Sequence, residues 1–407
     1  LENIARAEWV IQHSVPSSRV SPFADVWSAL ELAFQKSTSA AERTKLLKLF
    51  GDVAYYLPQI GLGLLRATNL RYADKLMTNE ADEKNELETA SQIAFALAQV
   101  LRDDQVIFEE CIDRLWDFGK YDKRPLNSCP SHGHRRLKEL AGFRPGRKMK
   151  QYQTILDYVE RWLIQASKAL QPWSHGPLEI LDELLKREWE QTYWKGNVIT
   201  IQRGELNYNP ELKKLKLAAI RLLGRCIREE FSPMFVAEAT SHLRGQLPIY
   251  QPKEWKELGE AALDELIVST ETFLKMGRSE VAYSLIHVLN ELVEIFKEEE
   301  KHPGIAVIRT TRDQLDTSLK SSNPTKHALL HGLMGRQFTS PEPDQIHEAQ
   351  NVLVAAGPVK AFELLEEAHD ALDSLGISPY TSAVAHSGAN RLEWTDLSAR
   401  LAAVISE

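Results

Sequence analysis

One cysteine and one histidine stand at a spacing that could bind zinc. Cys129 and His132 have the Cys-x2-His pattern from which one tetrahedral zinc ion can take two ligands. His134 lies only two residues further on, so the fourth ligand would have to be Cys111. That residue falls on the apolar face of a predicted helix, where cysteine is usually an inert hydrophobic side chain. We therefore favour a turn containing proline and histidine that begins a helix at His134, and we predict no metal site.

A second pattern has the residue types of a nuclease. Arg6 and His13 have the Arg-x6-His spacing of some helical ribonucleases. However, Ala7 follows the arginine where such enzymes usually have a polar residue, and chance often produces this spacing. His347 and Glu348 begin a zinc-helix motif that lacks its second histidine, and the chain has no phosphate-binding loop or nucleophile elbow. We predict no catalytic residue in this chain.

A basic segment is the strongest candidate for a binding surface. Ten lysine and arginine residues and two acidic residues give residues 120–150 a net charge of +8, whereas the whole chain carries −8. Guanidinium groups bind carboxylates and phosphates through two parallel hydrogen bonds. The predicted partner-binding residues are Arg124, Arg135, Arg136, Lys138, Arg144, Arg147 and Lys148.

Three interpretations of this basic segment stay open. In the first, the cations pair with acidic helix ends of the same chain or lie in solvent. In the second, they dock a protein partner or another part of the chain. In the third, they bind nucleic acid. The segment lacks the interleaved aromatic side chains on which single-stranded nucleic acids stack. The acidic total charge also gives no case for nucleic acid.

The composition is that of an ordinary globular protein. The chain has 407 residues, of which 43% are hydrophobic and 26% are charged. No apolar run reaches the length of a membrane-spanning helix, so we predict no membrane segment. Three scattered cysteines favour a reducing cytoplasm. The chain begins at Leu1 without methionine, and we expect it to be a piece of a longer protein.

Apolar residues recur with a helical period along most of the chain. This pattern predicts an all-α fold in which antiparallel helices are joined by short turns, as in an α-solenoid. No fixed repeat of 33 to 47 residues is present, so the solenoid is expected to be degenerate. The predicted helices are 24–35, 45–50 ending at Gly51, one behind Asp52, 86–101, one after the cap signal Asp103-Asp104, 134–141, 151–170, 178–194, 211–230, 253–275, 280–297, 345–354, 360–375 and 393–405.

One stretch predicts strands instead. Asn197–Ile201 is rich in β-branched residues, and a turn at Arg203–Glu205 leads into Leu206–Asn209, so we predict a small β-hairpin inserted at about 197–208. Four segments follow from these patterns: an N-terminal helical segment 1–118, a basic irregular connector 119–150, a central helical array 151–320 and a C-terminal helical segment 321–407.

Several of these stretches resemble one protein family. Leu115–Asn127, His134–Ala141 and Leu156–Leu163, followed by the hairpin Val198–Tyr208 and the helix Leu212–Leu223, are similar to the helical region of bacterial signal-transduction ATPases with numerous domains. These STAND-type NTPases include antiphage defence proteins. The resemblance covers about a third of the chain and consists of short similarities.

This resemblance implies a helical sensor or scaffold region with neither catalytic residues nor a cofactor of its own. In the family, an upstream domain binds ATP and Mg²⁺, and a fused effector acts when the helical region recognises a foreign protein, such as a phage protein, and the molecule oligomerises. The matched positions Leu115, Trp116, Tyr158, Val159 and Trp162 are expected to be core residues. Arg124 is expected to anchor its loop on a neighbouring helix C-terminus.

We therefore favour a non-catalytic recognition and scaffold region that binds a protein partner and couples recognition to ATP-dependent oligomerisation and effector activation. Two alternatives stay open. One is a regulatory helical bundle that transmits state between ATPase and effector, and the other is a helical effector enzyme such as a nuclease.

Overall fold

The computed structural model divides into two compact units, which are Leu1–Leu206 (unit 1) and Asn207–Glu407 (unit 2). The division lies within the segment predicted as 151–320. The structure describes residues 5, 24–37, 39–57, 61–63, 65–66, 81–101, 103–121, 132–144, 147–167, 176–195, 198–229, 233–299, 302–333, 343–357, 359–361 and 363–364.

Helices make up most of the described part of unit 1. Their bounds are α1 (Ala24–Lys36), α2 (Ala40–Tyr56), α3 (Ala81–Val100), α4 (Gln105–Tyr121), α5 (His132–Ala141), α6 (Met149–Ser167) and α7 (Gly176–Leu185). α2 packs against α3, α3 and α4 both pack against α5, and α7 contacts α5 and α6. Each of these helices therefore packs mainly on its neighbours along the chain.

The core of α4 and α6 follows from the helical period of the sequence. Leu115, Trp116, Tyr158, Val159 and Trp162 are all buried, so the prediction that these five residues form a core is confirmed. The rings of Trp116 and Trp162 stack with their centroids 4.8 Å apart. Large aromatic side chains at facing helical positions thus join the two helices.

Ion pairs join helices of unit 1 that are distant in the sequence. Arg43 of α2 donates two hydrogen bonds to the Glu86 carboxylate of α3, at 2.7 Å and 2.8 Å, and both side chains are buried. Arg66 binds Glu110 of α4 in the same bidentate way, at 2.8 Å and 2.7 Å, on the protein surface. Unit 1 therefore contains one bidentate arginine–glutamate pair that is buried and one that is exposed to solvent.

Two helix boundaries of unit 1 were predicted from turn and cap residues in the sequence. The predicted cap ahead of α4 is confirmed, because the Asp104 carboxylate accepts a hydrogen bond from the amide of Ile107 at 3.2 Å. The predicted break at Gly51 is wrong, because α2 continues through this residue to Tyr56. A glycine inside a helix costs about 1 kcal/mol, which the packing of α2 on α3 offsets.

A β-hairpin follows α7, as predicted, but its strands lie earlier in the chain. β1 (Glu188–Lys195) and β2 (Val198–Glu205) pair antiparallel, with Glu188 opposite Glu205 and Lys195 opposite Val198. Arg203–Glu205 belongs to β2, so the predicted turn at these residues is wrong.

The position of β1 also corrects the helix that was predicted over 178–194. α7 ends at Leu185, the last of its buried aliphatic residues, and the chain continues as a strand. Thr192, Tyr193 and Trp194 belong to the residue types that favour strands, and pairing with β2 stabilises this conformation.

The segment predicted as an irregular connector contains regular structure. α4 extends to Tyr121, and α5 occupies residues 132–141 of the predicted connector 119–150. A helix at 134–141 was itself predicted, and the observed helix begins two residues earlier at His132. The described part of this segment thus contains the end of α4, the whole of α5 and the start of α6.

Unit 2 consists of helices over its described residues. Their bounds are α8 (Pro210–Arg228), α9 (Pro233–Arg244), α10 (Lys256–Lys275), α11 (Ser279–Ile295), α12 (Pro303–Ser322), α13 (Pro324–Leu333) and α14 (Pro343–Ala356), with short 3₁₀ turns at Pro248–Tyr250, Lys253–Trp255 and Lys297–Glu299. α8 packs on α9 and α10, α11 on α10 and α12, and α13 on α11, α12 and α14.

Caps and prolines mark where these helices begin. The Asn209 side chain accepts a hydrogen bond from the amide of Leu212 at 2.8 Å, and Pro210 starts α8. Gly277 ends the turn between α10 and α11 with a φ of 74°, which favours glycine. α9, α12 and α13 were not predicted from the sequence, although each begins with a proline.

The predicted all-α fold with one small hairpin is confirmed. Within each unit the helices pack on their sequence neighbours, as expected of a helical array. Over the described ranges, none of the helices combines the length and the apolar character needed to cross a bilayer.

Candidate functional site

Most of the predicted partner-binding cations lie on α5 or on the loop between α5 and α6. Arg124 is the exception, because it lies outside the described residues. The described members are Arg135, Arg136 and Lys138 on α5, and Arg144, Arg147 and Lys148 on the loop.

The ring of Phe95, on α3, brings two of these side chains together. The guanidinium carbon of Arg136 lies 5.2 Å from the ring centroid, and that of Arg144 lies 5.8 Å from it. Glu139 accepts a hydrogen bond from Arg136 at 2.6 Å and lies 3.6 Å from Arg135. Arg144 has no carboxylate within ion-pair distance among the described residues. Contact with a ring uses the face of a guanidinium and leaves its N–H groups for another acceptor.

Arg147 and Lys138 make contacts within unit 1 that fix the end of α5 and join α5 to α7. Arg147 donates hydrogen bonds to the carbonyl oxygens of Leu140 and Gly142 at the C-terminal end of α5, the second at 3.4 Å. Lys138 pairs with Glu179 of α7 at 3.5 Å. A cation at a helix C-terminus satisfies carbonyl groups that have no partner within the helix. These two cations are therefore occupied within the chain.

Arg135 and Lys148 face solvent, whereas Arg136 and Arg144 are half-buried beside Phe95. The side chain of Arg135 is 65% exposed and that of Lys148 is 71% exposed. Lys148 pairs with Asp103 at 2.6 Å, but both groups are solvated, and such pairs contribute little energy. We define Arg135, Arg136, Arg144 and Lys148 as the basic surface.

α5 is held in place by a close approach to its neighbours. His134 stacks on Trp116 of α4, with the ring centroids 4.7 Å apart. A Cβ atom at Gly133 would lie 2.6 Å from the amide nitrogen of Gly119, which is closer than side chains approach in proteins. Only glycine at position 133 lets the backbones of α5 and α4 come this close.

An open pocket of about 460 Å³ between α4 and α6 contains several charged side chains. Glu110, Asp113 and Asp117 line it together with Arg114 and Lys120. Loss of hydration and the negative charge of Asp117 raise the pKa of Asp113 to about 6. Loss of hydration is the larger of the two causes, and the repulsion from Asp117 adds to it.

Asp117→Asn is expected to lower the pKa of Asp113 by about 0.3 pH units, because it removes a like charge one helical turn away. Side-chain carbon NMR shifts, followed through a pH titration, measure this value. The control is Asp25→Asn on α1, which removes the same charge elsewhere. An unchanged pKa of Asp113 in the Asp117 variant would leave loss of hydration as the cause.

Both buried thiols are chemically inert. Cys111 is buried in α4 and Cys226 in α8, and loss of hydration raises the pKa of each thiol to about 12. A thiol with this pKa stays protonated at neutral pH and is a poor nucleophile and metal ligand. Cys129 and the side chain of His132, the other parts of the zinc pattern, lie outside the described residues.

The nuclease pattern is not covered by the structure, since Arg6 and His13 both lie outside the described residues. His347, the histidine of the incomplete zinc-helix motif, is exposed on α14.

A second cluster of functional groups lies in unit 2, between α12 and α13. Asp316 contacts His327 and His331 through its two carboxylate oxygens, with oxygen to Nε2 distances of 3.1 Å and 2.7 Å respectively. Burial raises the pKa of Asp316, but hydrogen bonds and charge from the two imidazoles outweigh this, so the pKa lies below its usual range. We call these three residues the His–Asp cluster.

No family model matches this sequence, and no curated protein does. Functional inference therefore rests on the geometry of the basic surface and of the His–Asp cluster.

The His–Asp cluster was not predicted from the sequence. His327 and His331 stand four residues apart, a spacing that places two side chains on one face of a helix. Asp316 is eleven residues before His327, and pairing it with the histidines requires α12 and α13 to form a helical hairpin. The His-x3-His spacing was a usable signal, but α13 was not predicted.

Proposed function

We propose that this chain is a non-catalytic recognition and scaffold region that binds an acidic protein partner through the basic surface. The observation that carries the proposal is the arrangement around Phe95. Two guanidinium groups converge on this ring, and Arg144 has no carboxylate partner among the described residues. Two converging cations, one of which has no carboxylate partner among the described residues, are suited to a carboxylate-bearing surface.

The charge distribution supports the same conclusion. Residues 120–150 carry +8 in a chain of −8, so the basic surface differs in sign from the rest of the sequence. A local field of this kind attracts and orients an acidic partner as it approaches. An acidic protein is favoured over single-stranded nucleic acid because residues 120–150 lack the interleaved aromatic side chains on which bases stack.

The resemblance to STAND-type NTPases extends this proposal to the longer protein. In that case, partner binding here is coupled to ATP-dependent oligomerisation through an upstream ATPase and then to activation of a fused effector. The partner would be a foreign protein, such as a phage protein.

The test is a charge-reversal variant that combines Arg135→Glu, Arg144→Glu and Lys148→Glu. Arg147 and Lys138 are left intact because they contact α5 and α7. Proteins that bind the full-length molecule in its host are identified by mass spectrometry, purified, and titrated against wild type and variant. We expect the Kd to rise by about 100-fold, since three attractive charges become repulsive.

The matched control combines Lys36→Glu, Lys45→Glu and Lys48→Glu. These exposed residues of α1 and α2 give the same change in net charge away from the basic surface. An equal loss of affinity in both variants, or no loss in either, would contradict the proposal. Tight binding of duplex or single-stranded nucleic acid that is lost only in the first variant would favour the nucleic-acid interpretation instead.

A further inference from the structure

We propose that Asp316, His327 and His331 bind a divalent transition-metal ion of the Zn²⁺ type. Two imidazole nitrogens and one carboxylate are a donor set that zinc sites with an open coordination position use. The proposal is independent of the partner-binding function, because it concerns residues of unit 2 and the basic surface belongs to unit 1.

The spacing of the donor atoms fits one ion. The candidate ligand atoms all lie within 4.8 Å of one another, and the carboxylate oxygens are 3.1 Å and 2.7 Å from the two Nε2 atoms. Tetrahedral zinc with bonds near 2.1 Å requires ligand atoms about 3.4 Å apart. Small side-chain movements would bring the three groups to this spacing without moving a helix.

The two histidines are held in nearly the required position. Their side chains are 8% and 11% exposed, and their ring centroids lie 4.3 Å apart. Tyr283 of α11 packs edge-on against His331, with the centroids 4.9 Å apart. Packing on several sides limits the rotamers of both rings, which reduces the entropy lost when an ion binds.

An outer contact can set the tautomer of His331. The amide nitrogen of Gln345, on α14, lies 3.4 Å from Nδ1 of this ring. Because the two ends of a glutamine amide are interchangeable by rotation, Nδ1–H can donate to the amide oxygen and leave the Nε2 lone pair for a metal. The Asp316 side chain is 29% exposed, so water can reach the ion as a fourth ligand.

The competing explanation is that Asp316 only accepts hydrogen bonds from the two imidazoles and joins α12 to α13. The two explanations differ in what happens when metal is added. A hydrogen-bonded cluster takes up no ion, whereas a metal site releases the Nε2 atoms from Asp316 and transfers them to the ion.

Equilibrium dialysis of the purified full chain against Zn²⁺, followed by metal analysis, is the primary test. We expect one ion per chain whose affinity falls more than about 100-fold in His331→Gln and in Asp316→Asn, beyond the range typical of outer-shell changes. Gln345→Ala should weaken binding by about 10-fold. His347→Gln, an exposed histidine on α14, is the matched control and should bind like wild type.

Absence of Zn²⁺ binding in wild type, or binding that is unchanged in the Asp316 and His331 variants, would overturn the proposal. Circular dichroism shows whether each variant is folded. If the variants unfold, imidazole nitrogen NMR shifts of wild type decide. Zn²⁺-induced shifts confined to His327 and His331 support the site, and rings that do not respond exclude it.

Discussion

Arg43→Met is expected to lower the free energy of unfolding by about 3–5 kcal/mol, because it leaves the Glu86 carboxylate buried without its cation. Both hydrogen bonds of this pair are short, at 2.7 Å and 2.8 Å, and Glu86 is fully buried. The carboxylate cannot recover its lost interactions from water. Urea denaturation followed by circular dichroism measures the change.

Arg66→Met is the matched control for this prediction. Arg66 binds Glu110 with the same bidentate geometry, but its side chain is 53% exposed. Water replaces the lost interaction there, so we expect a loss of at most about 1 kcal/mol. The double variant Arg43→Met with Glu86→Leu should recover most of the stability, because no buried charge remains. Equal losses at Arg43 and Arg66 would show that burial does not determine the effect.

Gly133→Ala is expected to destabilise the protein by about 3 kcal/mol, the upper part of the range for overpacked positions. The new methyl group would overlap the Leu115 carbonyl and lie 2.6 Å from the amide nitrogen of Gly119. Both are backbone atoms of α4, so a rotamer change cannot relieve the overlap and α5 must move away. Thermal unfolding and the near-ultraviolet circular dichroism of the stacked tryptophans report this displacement.

Gly63→Ala provides the comparison for Gly133→Ala. Gly63 is also helical, but the nearest atom to an added Cβ would be a Glu31 carboxylate oxygen at an ordinary 3.7 Å. Alanine there should be neutral or stabilising by up to about 1 kcal/mol, since glycine is the poorer helix former. Stabilisation in both variants would show that α5 and α4 are not in close contact.

The parts of the fold that were predicted correctly are those where apolar residues are dense. Trp116 and Trp162 recur with neighbours at helical spacing, so their helices and their burial follow from the sequence alone. α12 was missed because its buried stripe is thin. Ile305, Ile308, Leu315 and Leu319 are its buried aliphatic residues.

The rest of α12 is rich in residues that are poor helix formers. Four hydroxyl groups donate hydrogen bonds to the backbone carbonyl oxygen four residues earlier, at 2.7 to 3.0 Å. They belong to Thr310, Thr317, Ser318 and Ser321. These hydrogen bonds satisfy the side chains within the helix. Composition alone would assign such a segment to a loop, and the packing of α12 on α11 and α13 overrides that preference.

The candidate sites show a similar division. The basic residues were identified from charge alone, but the roles of Arg147 at the end of α5 and of Phe95 beneath Arg136 and Arg144 depend on three-dimensional contacts. Phe95 lies more than 40 positions before Arg136 and Arg144, and contacts at this separation leave no local pattern. Asp316 lies 11 and 15 positions before its two histidines, and the contact exists only because α12 and α13 pack together.

The two buried cysteines can report local unfolding of the two units. Cys111 belongs to unit 1 and Cys226 to unit 2, and each thiol is shielded from solvent. A thiol-specific reagent can therefore modify each one only after the surrounding helices separate. In a protein whose Cys129 is replaced by serine, the two labelling rates would time the opening of each unit separately, without any introduced probe.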